Sequence, residues 1–285
     1  MTMNSHRISL ATGLEAHALE WDGPGDLTYV LVHGFTDLAY GWRRVAERLA
    51  LHAHVIAPDL RGHGDSAWLG AGGYYHFMDY VADLDDLIGQ LARTNVILVG
   101  HSMGGSVSGY YAGTRPGRLT ALALIEGLGP PDMAALEGPT RTAMWIDSWR
   151  AARSKGKVMA SLDEAIARLR KHDELLDEDL ARELAEHGTR ATEHGLTWKH
   201  DPLHMTMGPY AYRVETAMKY WQRVTCPVLV IDGEQSRMNL PLPERAARRA
   251  HFASHRHVVV ANAGHAVARH QPARTAELLL ELRPR

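Results

Sequence analysis

The chain of 285 residues contains a single cysteine, Cys226, so it cannot close an internal disulfide. That residue reads as a small buried side chain at the start of a strand. No Cys/His spacing has the form of a zinc site, and the 18 histidines are scattered without an HExxH pattern. No stretch approaches the roughly 18 apolar residues of a membrane helix. The opening MTMNSHRISLATG lacks the apolar core of a secretory signal. These absences make a soluble, cytoplasmic protein the expectation. Excess charge is missing too: a formal net value of −2 recruits neither nucleic acid nor an anionic membrane surface. There is no GxxxxGK[ST] phosphate loop, and no metal or organic cofactor is expected.

What is present suits a globular protein of one sizeable α/β core or two small domains. Apolar strand-like runs occur at Tyr29–Val32, His54–Ala57, Val96–Val99, Leu119–Ile125, Val228–Ile231 and His257–Ala261. Helical stretches follow at Trp42–Leu51, Tyr80–Ala92, Ser102–Ala112, Pro243–His251 and Pro272–Leu282. Apolar strands with little alternation, separated by amphipathic helices, predict a mostly parallel sheet covered on both faces. Arg7–Ala11 and Glu15–Trp21 add a candidate edge hairpin. The charged stretch between residues 129 and 221 breaks the rhythm and shows no convincing strand. It reads as a helical insertion whose main helix opens on a Ser161/Glu164 capping box. The expected division is a core of residues 1–128 and 222–285 and a cap, or lid, of residues 129–221.

The segment LVGHSMGG places Ser102 between two glycines, after the strand-like NVILV and at the head of a helix. This is the strand–turn–helix setting of a nucleophile elbow. Gly100 and Gly104 let strand and helix approach without a Cβ clash. The N–H of Met103, at the helix start, is aimed at negative charge forming beside the serine. A second oxyanion donor is expected from the N–H of Phe35 in LVHGF, where a His-Gly turn ends another strand. His265, in the loop after the last strand, is the candidate general base. His101 neighbours the serine but its strand alternation points it away, and His270 lies at or near the last helix.

Together these stretches resemble the α/β-hydrolase superfamily along nearly the whole chain. LVHGF is similar to its oxyanion strand end and DLRGHGDS to the loop after the next strand. GHSMGG is similar to its nucleophile elbow and NAGHAVARHQP to its histidine loop. The insertion resembles its cap domain, and WKHDPLH with SLDEAIARLR resembles the serine-hydrolase-like proteins within it. The resemblance implies an acid for the histidine, placed in many relatives in a strand–Gly-x-x-Asp turn. Here that turn reads Gly233-Glu234-Gln235-Ser236, and a serine cannot carry the charge. Glu126, at the end of the strand after the nucleophile strand, occupies a second position from which superfamily members supply the acid. Glu234 and Asp232 remain alternatives.

The expectation is a serine hydrolase cleaving an ester or related acyl compound of a small molecule. An aspartate at position 102 would instead suggest dehalogenation or epoxide opening; a serine suggests acyl transfer through an acyl-enzyme. Thioesterase, lactonase and carbon–carbon bond hydrolase share the same triad. A non-catalytic binding protein is the rival of another class. Trp145, Trp149, Met205, Met207 and Tyr210 are candidates for an apolar acyl pocket, or for packing of cap on core. Arg237 reads as a solvated arginine near the usual acid loop. Oligomeric state is not legible.

Overall fold

The runs that read as uninterrupted apolar strands are, apart from the last, buried along most of their length in the computed structural model, which describes residues 2–70, 72–152, 158–238 and 240–283. In chain order the elements begin with β1 (Met3–Ser9), β2 (Glu15–Trp21), β3 (Leu27–Val32), α1 (Arg43–Leu49) and β4 (His54–Asp59). They continue through α2 (Phe77–Leu91), β5 (Asn95–His101), α3 (Met103–Thr114) and β6 (Ala121–Ile125). An inserted segment then holds α4 (Pro139–Ala152), α5 (Leu162–His172), α6 (Glu178–Gly188), β7 (Thr189–Thr192), β8 (Gly195–Trp198) and α7 (Val214–Trp221). The chain returns to the sheet with β9 (Val228–Gly233), α8 (Leu242–Arg249), β10 (His255–Val260), α9 (Val267–His270) and α10 (Pro272–Leu280).

Eight strands form one sheet in the order β1-β2-β4-β3-β5-β6-β9-β10. The pairs β1/β2 and β2/β4 are antiparallel and all others are parallel. Alternation within each strand divides the core in two. Tyr29, Leu31, Ile97, Val99, Ala123 and Ile125 face one side, with Leu49 of α1 and Leu279 of α10. Val30, Val32, Leu98, Leu122 and Leu124 face the other, with Leu84 of α2, Val107 of α3 and Trp221 of α7. A sheet with helices on both faces needs apolar residues at nearly every strand position, which is why the strands read as runs. β10 is an edge strand, and its exposed His255 and Arg256 suit an edge that must resist pairing.

Two expectations for the insertion need correction. Its "main helix" is two: α5 ends at His172, and Asp177 caps α6 by accepting the Leu180 N–H at 2.8 Å. The Ser161 cap does form, accepting the Glu164 N–H at 3.2 Å. The insertion also contains strands, since β7 and β8 pair antiparallel from Thr189↔Trp198 to Thr192↔Gly195. Four residues per strand, mostly half-buried or exposed, are too few for a period-2 pattern to stand out. At the N-terminus the first strand lies earlier than Arg7–Ala11, because its register on β2 runs from Met3↔Trp21 to Ser9↔Glu15.

Candidate active site

Parallel strands all end on the same side, so the loops leaving β3, β5, β6, β9 and β10 converge there. The backbone is strained at this edge. The four non-glycine residues with positive φ among those described are Thr36 (56°), Ser102 (52°), Glu126 (51°) and Asn262 (54°). Each lies beyond the end of one of these strands, and each costs about 1–3 kcal/mol that surrounding structure must repay.

Ser102 forms the sharp turn between β5 and α3, with φ 52° and ψ −118°. Its N–H donates to the Ile125 carbonyl at 3.0 Å, which ties the elbow to β6. A Cβ on Gly104 would lie 2.3 Å from the His33 carbonyl oxygen, and one on Gly100 would lie 2.4 Å from that of Gly104. Only glycine permits this approach of helix to strands. Met103 is the first residue of α3, so its N–H has no acceptor within the helix.

Phe35 follows β3, and its N–H enters none of the backbone turn bonds among the described residues. His33 sets its direction. The buried His33 accepts the Leu60 N–H at Nε2 (2.9 Å), so Nδ1 carries the proton and donates to the Gly34 carbonyl at 2.7 Å. The Gly34–Phe35 peptide is trans, so fixing the carbonyl on His33 turns the Phe35 N–H the opposite way.

Glu126 Oε2 lies 3.2 Å from His265 Nδ1. The same oxygen accepts the Ser236 hydroxyl at 2.9 Å, and Oε1 accepts the Gly233 N–H at 2.7 Å. Burial on its own would raise the Glu126 pKa. The bonds from His265, the Gly233 amide and Ser236 outweigh it and hold the carboxyl below its ordinary value. The residue standing where many relatives carry the acid therefore serves the carboxylate of Glu126. The alternatives are engaged elsewhere. Asp232 is buried against Arg245 (3.0 Å) and His257 (2.8 Å), and Glu234 accepts the Asn262 N–H at 3.3 Å.

With Nδ1 on Glu126, the opposite ring nitrogen of His265 is the one left for Ser102. No hydrogen bond joins Nε2 to the serine hydroxyl in the structure, and such contacts commonly tighten only with substrate bound. The His265 backbone is fixed from two sides. His101 donates from Nε2 to its carbonyl at 2.9 Å, and burial first, then the nearby His265, hold the His101 pKa down to about 4. His101 thus stays neutral and adds no charge beside the candidate base. His270 accepts the Gly264 N–H at 3.0 Å and donates to Asp173 at 2.8 Å, linking this loop to the insertion. Arg269 pairs with Asp37 of the loop after β3.

The insertion meets the core at a second place. His63, in the loop after β4, stacks on His204 with ring centroids 4.1 Å apart, and Phe35 meets His204 edge-on at 6.2 Å. That loop is fixed by Arg61, whose guanidinium makes two 2.6 Å bonds to the buried Asp83 of α2.

The predicted pocket residues separate. Trp145 and Trp149 stack at 6.2 Å on α4, and Trp149 packs on the core cluster that also carries Val107 of α3. Met207 is half-buried. Met205 and Tyr210 are 66% and 74% exposed and offer most of their surface to solvent, not to an apolar pocket. Arg237 is exposed, as expected. Sequence reasoning missed His33, His101, His270 and Asp173 as supports, and read Ser236 only as a loss. The adjacency of His33 and His101 to the two glycine turns was a usable signal; Asp173 offered none.

The model of the alpha/beta hydrolase family matches residues 29–278. The chain belongs to that family. One curated relative is epoxide hydrolase 3 of Siraitia grosvenorii, 37% identical over 94 residues, 33% of this chain and 30% of that protein. The chain thus matches about a third of that relative's length. A probable serine hydrolase of Drosophila melanogaster is 26% identical over 220 residues, 75% of this chain and 66% of that protein. Among solved structures, a hypothetical protein of Pseudomonas aeruginosa superposes with a TM-score of 0.85 at 29% identity, covering 98% of this chain and 97% of that one. No helix among the described residues is long and apolar enough to cross a membrane.

Proposed function

We propose that this hydrolase-family protein is a serine hydrolase cleaving a carboxylic ester or related acyl compound through an acyl-enzyme. Ser102 Oγ attacks the carbonyl carbon while His265 Nε2 takes its proton. The oxyanion that forms is held by the N–H groups of Met103 and Phe35, each such donor contributing about 3 kcal/mol to the transition state. His265 then returns the proton to the leaving group, and water repeats the sequence in reverse to release the acid. Glu126 orients the imidazole and stabilises its protonated form. Residues 129–221 form a cap over this edge, with Trp145 and Trp149 in the acyl pocket, and the protein acts in the cytoplasm.

One observation carries the reading: the Glu126 carboxylate, supported by Gly233 and Ser236, on the Nδ1 of His265. A binding protein that had lost its acid would have no use for this arrangement. A serine at the elbow favours acyl transfer over the alkyl-enzyme chemistry that an aspartate there suggests. Thioesters, lactones and activated carbon–carbon bonds are open to the same nucleophile. The test is labelling with a fluorophosphonate probe together with turnover of short p-nitrophenyl esters. Wild type is expected to label and turn over while Ser102→Ala does neither; an unlabelled, inactive wild type would refute the proposal.

A further inference from the structure

Other deeply buried arginines of the described structure have acidic partners. Arg61 pairs with Asp83 and Asp79, and Arg248 with Glu244 and the carbonyls of Leu128, Gly129 and Pro130. Arg141 does not. It is only 5% exposed, and its Nε donates to the Gly208 carbonyl at 2.8 Å. Its Nη1 is buried with no acceptor among the described residues, and no carboxylate pairs with it. A buried guanidinium without a counter-charge is expensive. Its position adds to the cost. Arg141 is the third residue of α4, where free N–H groups and the helix dipole already concentrate positive charge. Neither packing nor helix stability accounts for an arginine there.

A second unpartnered donor lies one turn along the same face. The Nε1 of Trp145, at i+4, is also buried without an acceptor among the described residues. The Trp145 ring meets Tyr74 edge-on at 5.5 Å and stacks on Trp149, which packs on the core cluster of that sheet face. The Gly208 carbonyl that Arg141 holds lies four residues beyond His204, whose ring meets Phe35 of the turn after β3 edge-on at 6.2 Å, and this segment ties the face with both donors to that turn.

We propose that Arg141, with Trp145 beside it, receives a free carboxylate on the substrate, so that the compound hydrolysed is a half-ester or similar acyl derivative of a dicarboxylic acid. Guanidinium and indole offer only N–H groups, so the matching ligand atoms must be acceptors. A carboxylate supplies two of them and a charge that cancels the guanidinium, whereas a neutral carbonyl leaves that charge standing. The inference rests on the serine-hydrolase reading and names its substrate class.

The test compares p-nitrophenyl half-esters of succinic, glutaric and adipic acid with chain-matched neutral p-nitrophenyl esters. Wild type is expected to favour at least one half-ester by about ten- to a hundredfold in kcat/KM, the range of a charge-assisted hydrogen bond. Arg141→Gln should bring that ratio to about one through a higher KM for the half-ester, and Arg141→Lys should keep part of it. A wild type that turns over neutral esters as well as half-esters would overturn the proposal, and this measurement needs no variant to fold. So would a ratio unchanged in a folded Arg141→Gln. If Ser102 resists labelling and no ester is cleaved, the hydrolase reading has failed, and calorimetry then decides the carboxylate site separately. Glutarate binding wild type but not Arg141→Gln supports the site, and glutarate binding neither rejects it.

Discussion

The carboxyl edge of the sheet and the inner face of α4 treat polar atoms in opposite ways. At the edge, both oxygens of Glu126 and both ring nitrogens of His33 and of His270 are engaged. On α4, the buried Arg141 and the half-buried Trp145 each keep a buried donor with no partner among the described residues. Satisfied networks rigidify and unsatisfied ones are costly unless something else completes them. The contrast separates chemistry held in place by the fold from recognition completed by a ligand. Changes at the edge should then lower turnover of every substrate, and changes on α4 should alter which substrate is preferred.

The largest effect belongs to Ser102. Its replacement by alanine should lower kcat by on the order of 10⁴-fold or more on half-esters and neutral esters alike, measured with p-nitrophenyl substrates. His33→Ala should come next. It frees the Gly34–Phe35 peptide and leaves the Leu60 N–H unpaired, so kcat is expected to drop about 10- to 100-fold with little change in KM. The unpaired amide should also cost about 1–3 kcal/mol in urea unfolding. An unchanged kcat would remove His33 from the account of the oxyanion turn.

Ser236→Ala should have a smaller effect, about three- to tenfold in kcat, and a distinctive pH signature. Glu126 titrates below its ordinary value, so the stability it contributes is fully present above the unfolded-state pKa and is lost as pH falls through the folded one. Removing the Ser236 bond raises the folded value toward the unfolded one, so the variant should lose less stability to acid and its loss should be complete at a higher pH. Urea unfolding across the acid range reads this directly, and superimposable wild-type and variant curves would deny Ser236 its role. The smallest effect is expected from Asp173→Ala, which cuts the tie from the insertion to His270. A two- to fivefold loss of kcat, equal for half-esters and neutral esters, would place this contact with the edge; a loss confined to half-esters would place it with α4.

The core of the fold was legible because strands buried on both faces leave apolar runs, and because glycines at 100 and 104 mark a backbone approach that no other residue allows. Ser102, His265 and Glu126 were legible as strand-end residues. What could not be read was the direction of side chains across the loops. Ser236 looked like a lost acid because sequence does not reveal that its hydroxyl reaches a carboxylate 110 residues away. The β7/β8 hairpin was hidden by its brevity. Met205 and Tyr210 were drawn into the pocket by residue type alone, yet they face solvent.

The central claim is that Glu126, not the loop after β9, supplies the acid. The most direct measurement is kcat/KM of Glu126→Gln beside Glu234→Gln on one p-nitrophenyl ester, with thermal unfolding to confirm that both are folded. The account predicts a loss of about 10³- to 10⁴-fold for Glu126→Gln and near wild-type activity for Glu234→Gln. Full activity in Glu126→Gln with a large loss in Glu234→Gln would contradict it.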